Sequence, residues 1–149
     1  MNKTFHKHLR FIFFIFYCIS IIYSKNINYE DVVKFDIKLD REDYRSGEYL
    51  KIIYNFTIAG DYHIYSTDPN KSPIGGETYF EYYDSLLIRT IYEINEPEPI
   101  TKFDKNFNKI TSFHDGKFQL EQLIELENGI VPNEYSIEGA LFATACDPS

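Results

Sequence analysis

Cys146 is the residue of this chain best equipped for covalent chemistry. The only other cysteine, Cys18, lies within an apolar leader. A thiolate attacks disulfides, ligates soft metals, or acts as a nucleophile beside a base. The residues alone leave five readings to weigh. A free cysteine is commonly a small buried hydrophobe, although Asp147-Pro148 immediately after it is turn chemistry at a strand end. A structural disulfide needs a second cysteine, and the chain beyond the leader has none. A blue-copper centre needs Cys, two His and usually a soft axial ligand on a β-sandwich. His63, His114 and Cys146 could contribute, but the only methionine is Met1. Cys-His hydrolase chemistry lacks a base next to Cys146 in sequence. The fifth reading is thiol-disulfide exchange, in which an exposed thiolate attacks a partner's disulfide and a neighbouring thiol resolves the mixed disulfide. No metal and no cofactor is expected.

The segment that precedes the domain bears on redox compartment. Residues 1 to 24 combine a basic start (Lys3, Lys7, Arg10), an apolar run from Phe11 to Tyr23, and a small residue, Ser20 or Ser24, suited to cleavage. That layout predicts a secretory signal peptide. The run is 13 residues long, short of the roughly 20 needed for a permanent membrane-spanning helix. Cys18 is a poor lipidation site, because Phe14-Ile15-Phe16-Tyr17 before it are bulky. The formal charge is −8, and removing a leader that carries three cations and no acid takes it to −11. So acidic a surface excludes nucleic acid and anionic lipid as expected partners.

The remaining residues, 25–149, suffice for one domain with a core of its own. Thirteen Tyr and thirteen Phe favour β structure. From Val32 the pattern alternates, with Phe35, Ile37 and Leu39 opposed by Lys34, Asp36 and Lys38. A polar turn at 40–47 leads to a second alternating run, 48–58, with Leu50, Ile52, Tyr54, Phe56 and Ile58 on one face. The Ala59-Gly60-Asp61 turn predicts a hairpin between this run and 62–66. Short strands are expected at 77–82 and 86–93, and 95–109 reads as one long irregular loop. Asp115-Gly116 between 110–114 and 117–126 predicts a second hairpin. A last run, 136–145, ends at Cys146. About eight strands with regular turn signals predict an all-β, antiparallel β-sandwich.

Four stretches, taken in order, resemble the N-terminal periplasmic domain of the thiol:disulfide interchange protein DsbD. They are Ala59-Gly60-Asp61-Tyr62-His63-Ile64-Tyr65-Ser66, the Pro-Ile-Gly-Gly-Glu-Thr-Tyr-Phe stretch from Pro73 to Phe80, Lys102-Phe103-Asp104-Lys105-Asn106-Phe107, and Ala145-Cys146-Asp147. The resemblance covers roughly residues 30 to 149.

It implies an immunoglobulin-like sandwich whose paired cysteines sit under a loop that caps them with an aromatic ring. Cys146 resembles the first cysteine of that pair. Phe107 is the first candidate for the cap and Phe103 the second. Tyr62 and Tyr65 match positions near the redox site, and only one need face it, because Tyr65 shares a strand face with His63 and opposes Tyr62 and Ile64. The implied activity is an electron relay that passes reducing equivalents to partner proteins by thiol-disulfide exchange. The implied partners are thioredoxin-like redox proteins, periplasmic disulfide isomerases and cytochrome maturation proteins. The domain would be exported to the periplasm and tethered to the inner membrane through the membrane part of a full-length protein. The family's second cysteine and closing strand would fall after Ser149, so the chain is expected to be a fragment. From a different functional class, the rival is a non-redox immunoglobulin-like adhesion or accessory binding module.

Overall fold

Alternation is what the chain uses to build its interior. In the computed structural model, which describes residues 29–83 and 86–147, a single helical turn (Tyr29–Val32) leads into ten strands. These are β1 (Val33–Leu39), β2 (Tyr49–Ile58), β3 (His63–Tyr65), β4 (Tyr79–Tyr82), β5 (Ile88–Asn95), β6 (Ile100–Asp104), β7 (Lys109–Asp115), β8 (Lys117–Leu126), β9 (Gly139–Phe142) and β10 (Ala145–Cys146). The expected signal peptide, residues 1–24 with Cys18, lies outside the described residues.

All pairings are antiparallel. One sheet has the order β1-β2-β8-β5 and a second β10-β3-β7-β6, while β4 and β9 form a two-stranded ribbon. The fold is all-β. On the first sheet the alternating residues of β2 (Leu50, Ile52, Tyr54, Phe56, Ile58) and of β8 (Leu120, Ile124, Leu126) are buried. Ile64 of the second sheet and Phe80 and Leu141 of the ribbon complete the same core. Each fully buried large apolar side chain contributes about 1.5–3 kcal/mol.

An aromatic ladder shows how the sheets face each other. Phe35, Phe56 and Phe118 are directly paired across β1, β2 and β8. Their rings stack, with centroids 5.8 and 4.9 Å apart. His114 of β7, from the opposite sheet, stacks on Phe118 at 4.6 Å. Beside the ladder, Tyr54 stacks on Phe80 at 3.8 Å. Its hydroxyl meets that of Tyr82 at 2.6 Å, and Tyr82 donates onward to Gln122 Oε1 at 2.6 Å. Since Tyr82 has one proton to give, Tyr54 is the donor of the first bond. Burial pushes both phenols' ionisation well above the ordinary range; the pairing adds to the shift at Tyr54 and opposes it at Tyr82.

Two expected hairpins are instead crossings between sheets. The run 62–66 does not pair with β2; β3 joins β7 and β10 in the second sheet. Likewise β7 and β8 are consecutive but belong to different sheets, with β8 paired to β2 and β5. Turn residues specify a reversal, and the same chemistry serves a chain returning in its own sheet or passing to the facing one. The two crossings are joined at one corner, where the Ile58 amide donates to the Gly116 carbonyl at 2.7 Å and Ala59 donates to Val32 at 2.8 Å. Gly116 has φ +60°, a left-handed conformation that costs other residues about 1–2 kcal/mol.

The expected long loop 95–109 is also corrected. Its second half is a hairpin, β6 paired with β7 from Ile100↔Phe113 to Asp104↔Lys109. Most of β6 is exposed on both faces, so it carries no burial alternation by which a strand could be recognised. The last run, expected as one strand, is divided into β9, paired with β4, and β10, paired with β3.

Candidate functional site

β10 is two residues long, and its register decides where the thiol goes. Ala145 pairs with Ile64 and packs toward the core, whereas Cys146 pairs with His63 on the opposite face. Residues directly across an antiparallel ladder share a face, with Cβ atoms about 4.5–5.5 Å apart. Next along that face, Tyr65 pairs with Phe113. The outer surface of the second sheet therefore carries Cys146, His63, Tyr65 and Phe113 together. Cys146 is a half-buried thiol and not part of a disulfide.

The tip of the β6–β7 hairpin covers this surface, and Asp104 shapes it. Asp104 Oδ1 accepts from the amides of Asn106 (2.8 Å) and Phe107 (3.3 Å), an Asx turn. Asn108 completes the reversal at φ +51°, a conformation asparagine tolerates. The other carboxylate oxygen, Oδ2, accepts from the Tyr65 hydroxyl at 3.1 Å. Phe107 meets the Tyr65 ring edge-on, with centroids 6.3 Å apart and planes at 83°. Lys109 anchors the base of the tip by donating to the Ser72 carbonyl, next to the 3-10 turn Pro69–Lys71.

Tyr65 is 1% exposed beneath this cover. Cys146 and Asp104 both act on its hydroxyl, so the thiol, the phenol and the carboxylate belong to one polar cluster. Burial, then Cys146, then Asp104 push the phenol's ionisation well above its usual range. Tyr65 therefore stays a neutral hydroxyl; its one proton is given to Asp104, which leaves its oxygen able to accept from a thiol.

His63 lies between Cys146 and Phe113. Its ring centroid is 4.4 Å from that of Phe113 and 5.3 Å from that of Tyr65. Burial holds its pKa below the usual histidine value, with Lys102 acting in the same direction and Asp104, Asp115 and Asp147 opposing. Lys102 Nζ sits over the Phe113 ring, 5.5 Å from its centre.

Of the residues singled out from sequence, Cys146, Tyr65 and Phe107 come together here. Phe103 does not. It pairs with Ile110 on the face of the hairpin opposite Asp104 and is 59% exposed. Tyr62 is half-buried and packs against the core. His114 also points inward, where its Nε2 meets Glu96 Oε2 at 2.8 Å. This separates it from His63 and Cys146, and no group of three metal-ligating side chains forms among the described residues. Sequence reasoning missed Asp104 as a site residue. The available signal was an Asp two residues before Asn106 and three before Phe107, which is Asx-turn spacing.

No protein-family model matches this chain, and no curated protein matches it. Among the described residues, no helix is long and apolar enough to cross a membrane.

Proposed function

We propose that this chain is an exported electron-relay domain of the DsbD type, built on an immunoglobulin-like sandwich, that passes reducing equivalents to partner proteins by thiol-disulfide exchange. The observation that carries the reading is the seating of Cys146. It is half-buried on the sheet face that also carries Tyr65, whose neutral phenol lies under a hairpin tip that presents an aromatic ring. A reduced thiol in an oxidising compartment has to be shielded from small oxidants and still be reachable by a docked protein. An edge hairpin carrying Phe107 serves both needs. The order of the first sheet supports the immunoglobulin-like part, because β1-β2-β8-β5 follows A-B-E-D with β2 to β3 as the B-to-C crossing; the β6–β7 hairpin, placed in the second sheet and in chain order between the D-like and E-like strands, is an addition to that scheme.

In the reaction, the Cys146 thiolate attacks one sulfur of a partner's disulfide, forming a mixed disulfide and releasing the partner's other sulfur as a thiolate. Turnover then requires a second thiol to attack the Cys146 sulfur, forming a disulfide with it and releasing the partner's remaining sulfur as a thiolate, so that the partner leaves reduced. The partners in this reading are thioredoxin-like proteins, disulfide isomerases and cytochrome maturation proteins of the periplasm, with the domain tethered to the inner membrane through a membrane part.

The test is adduct formation with an oxidised thioredoxin-like protein, followed by intact mass. A one-to-one adduct that disappears in Cys146→Ser supports the relay. A folded chain that forms no adduct, while its unfolded form reacts, removes it and leaves the rival reading of a binding module.

A further inference from the structure

His63 is more than nine-tenths buried, yet its imidazole makes no hydrogen bond among the described residues; its contacts are the Phe113 and Tyr65 rings. Buried polar groups are nearly always paired, so an exception calls for an explanation. The ring nitrogens are not sealed off. The one fully enclosed side-chain polar atom without a partner among the described residues is Ser66 Oγ. The small exposed part of His63 therefore includes its nitrogen edge, on the face it shares with its register partner Cys146.

We propose that His63 is the proton acceptor for Cys146, taking the thiol proton as the sulfur attacks a disulfide. The assignment rests on the exchange reading above and adds a base to it. The S–H bond breaks toward a ring nitrogen of His63, and the sulfur's electron pair forms the new S–S bond. The partner's disulfide breaks, and its departing sulfur recovers the proton from the imidazolium. The groups facing the ring from neighbouring elements are Asp104 and Lys102 of β6, Asp115 of β7 and Asp147 after β10, with Tyr65 and Phe113 flanking it. Burial outweighs the three carboxylates and keeps the imidazole in its neutral, accepting form near neutral pH. The Phe113 ring, tilted at 42° with its centroid 4.4 Å away, and the Tyr65 ring, edge-on at 5.3 Å, restrict its orientation, as a base needs.

The experiment measures the rate of mixed-disulfide formation between the full chain and hydroxyethyl disulfide, a neutral probe, from pH 5 to 9. A thiol without a base loses rate about tenfold per pH unit below its own pKa, whereas general-base transfer gives a plateau above the base's pKa. The expected result is a plateau in the unmodified chain that is absent in His63→Phe and His63→Gln. At pH 6.5 the variants should be slower by roughly a hundredfold, the low end of general-base contributions. His63→Phe retains the ring packing, so a merely structural role would leave its profile unchanged. Coincident profiles overturn the proposal. A measurement on the unmodified chain guards against misfolded variants: reaction in heavy water should be slower if the proton moves during attack, and an inverse effect overturns the assignment. If Cys146 in the unmodified chain gives no adduct at all, the exchange reading itself falls, which is a separate result.

Discussion

The Tyr65 hydroxyl donates to Asp104 across 39 residues of sequence at 3.1 Å, and the same carboxylate's other oxygen holds the amides of Asn106 and Phe107. One side chain thus sets the turn that carries the cap and fixes the phenol beneath it.

Asp104→Ala removes both functions. The buried Tyr65 hydroxyl loses its acceptor, which costs about 1–3 kcal/mol, and the tip loses its Asx turn. Urea unfolding should show a lower midpoint at unchanged slope, and alkylation of Cys146 in the folded state should accelerate. Asp104→Asn keeps an acceptor oxygen and should fall between the two.

Phe107→Ala should speed oxidation of Cys146 by small disulfides several-fold while changing stability by less than about 0.5 kcal/mol, because the ring is 39% exposed. Phe103→Ala, on the other face of the hairpin, serves as the control and should leave the rate alone. Equal rates in all three proteins would remove Phe107 from the shielding role.

Glu96 gives the fold an acid-sensitive joint. Burial raises its pKa, but hydrogen bonds from His114 and the Thr67 amide outweigh burial and hold it below the usual value. A depressed folded pKa contributes stability that is fully present above the unfolded value of about 4.3 and is lost as pH falls through the folded one. The urea midpoint should therefore decline as pH is lowered below about 4, and Glu96→Gln should flatten that decline. A variant with the original acid slope would mean that Glu96 does not carry it.

Gly116→Ala should destabilise by about 1–2 kcal/mol. A Cβ there would meet nothing within 4 Å, so the cost is that of the left-handed backbone alone. Gly116→Asn should cost less, since asparagine visits that conformation more readily. Thermal unfolding of the three proteins ranks them directly.

The strands that bury one face were readable in advance. Alternation in 33–39, 48–58 and 117–126 names the residues that point inward, and Leu50, Ile52, Tyr54, Leu120 and Ile124 do so. Partnership was not readable. Asp115-Gly116 looks the same whether β8 returns beside β7 or crosses over, and only the burial of both sheets' inner faces decides between them. The site shows the same division. Cys146 stands out by residue type, but Asp104 acquires its role from the fold-back of an edge hairpin whose residues are exposed on both sides. His63 becomes Cys146's neighbour only through a pairing that spans 83 positions of sequence.

β3 is the only strand of the described residues whose every side chain is buried, and it forms the floor beneath Cys146, while most of β6, which carries the lid, is exposed on both faces. Local opening is cheapest where few buried contacts are lost. The tip can therefore lift at a free energy far below that of global unfolding without disturbing β3, and in the proposed relay access to the thiol would be set by this small segment, whose opening equilibrium can be tuned independently of the stability of the domain.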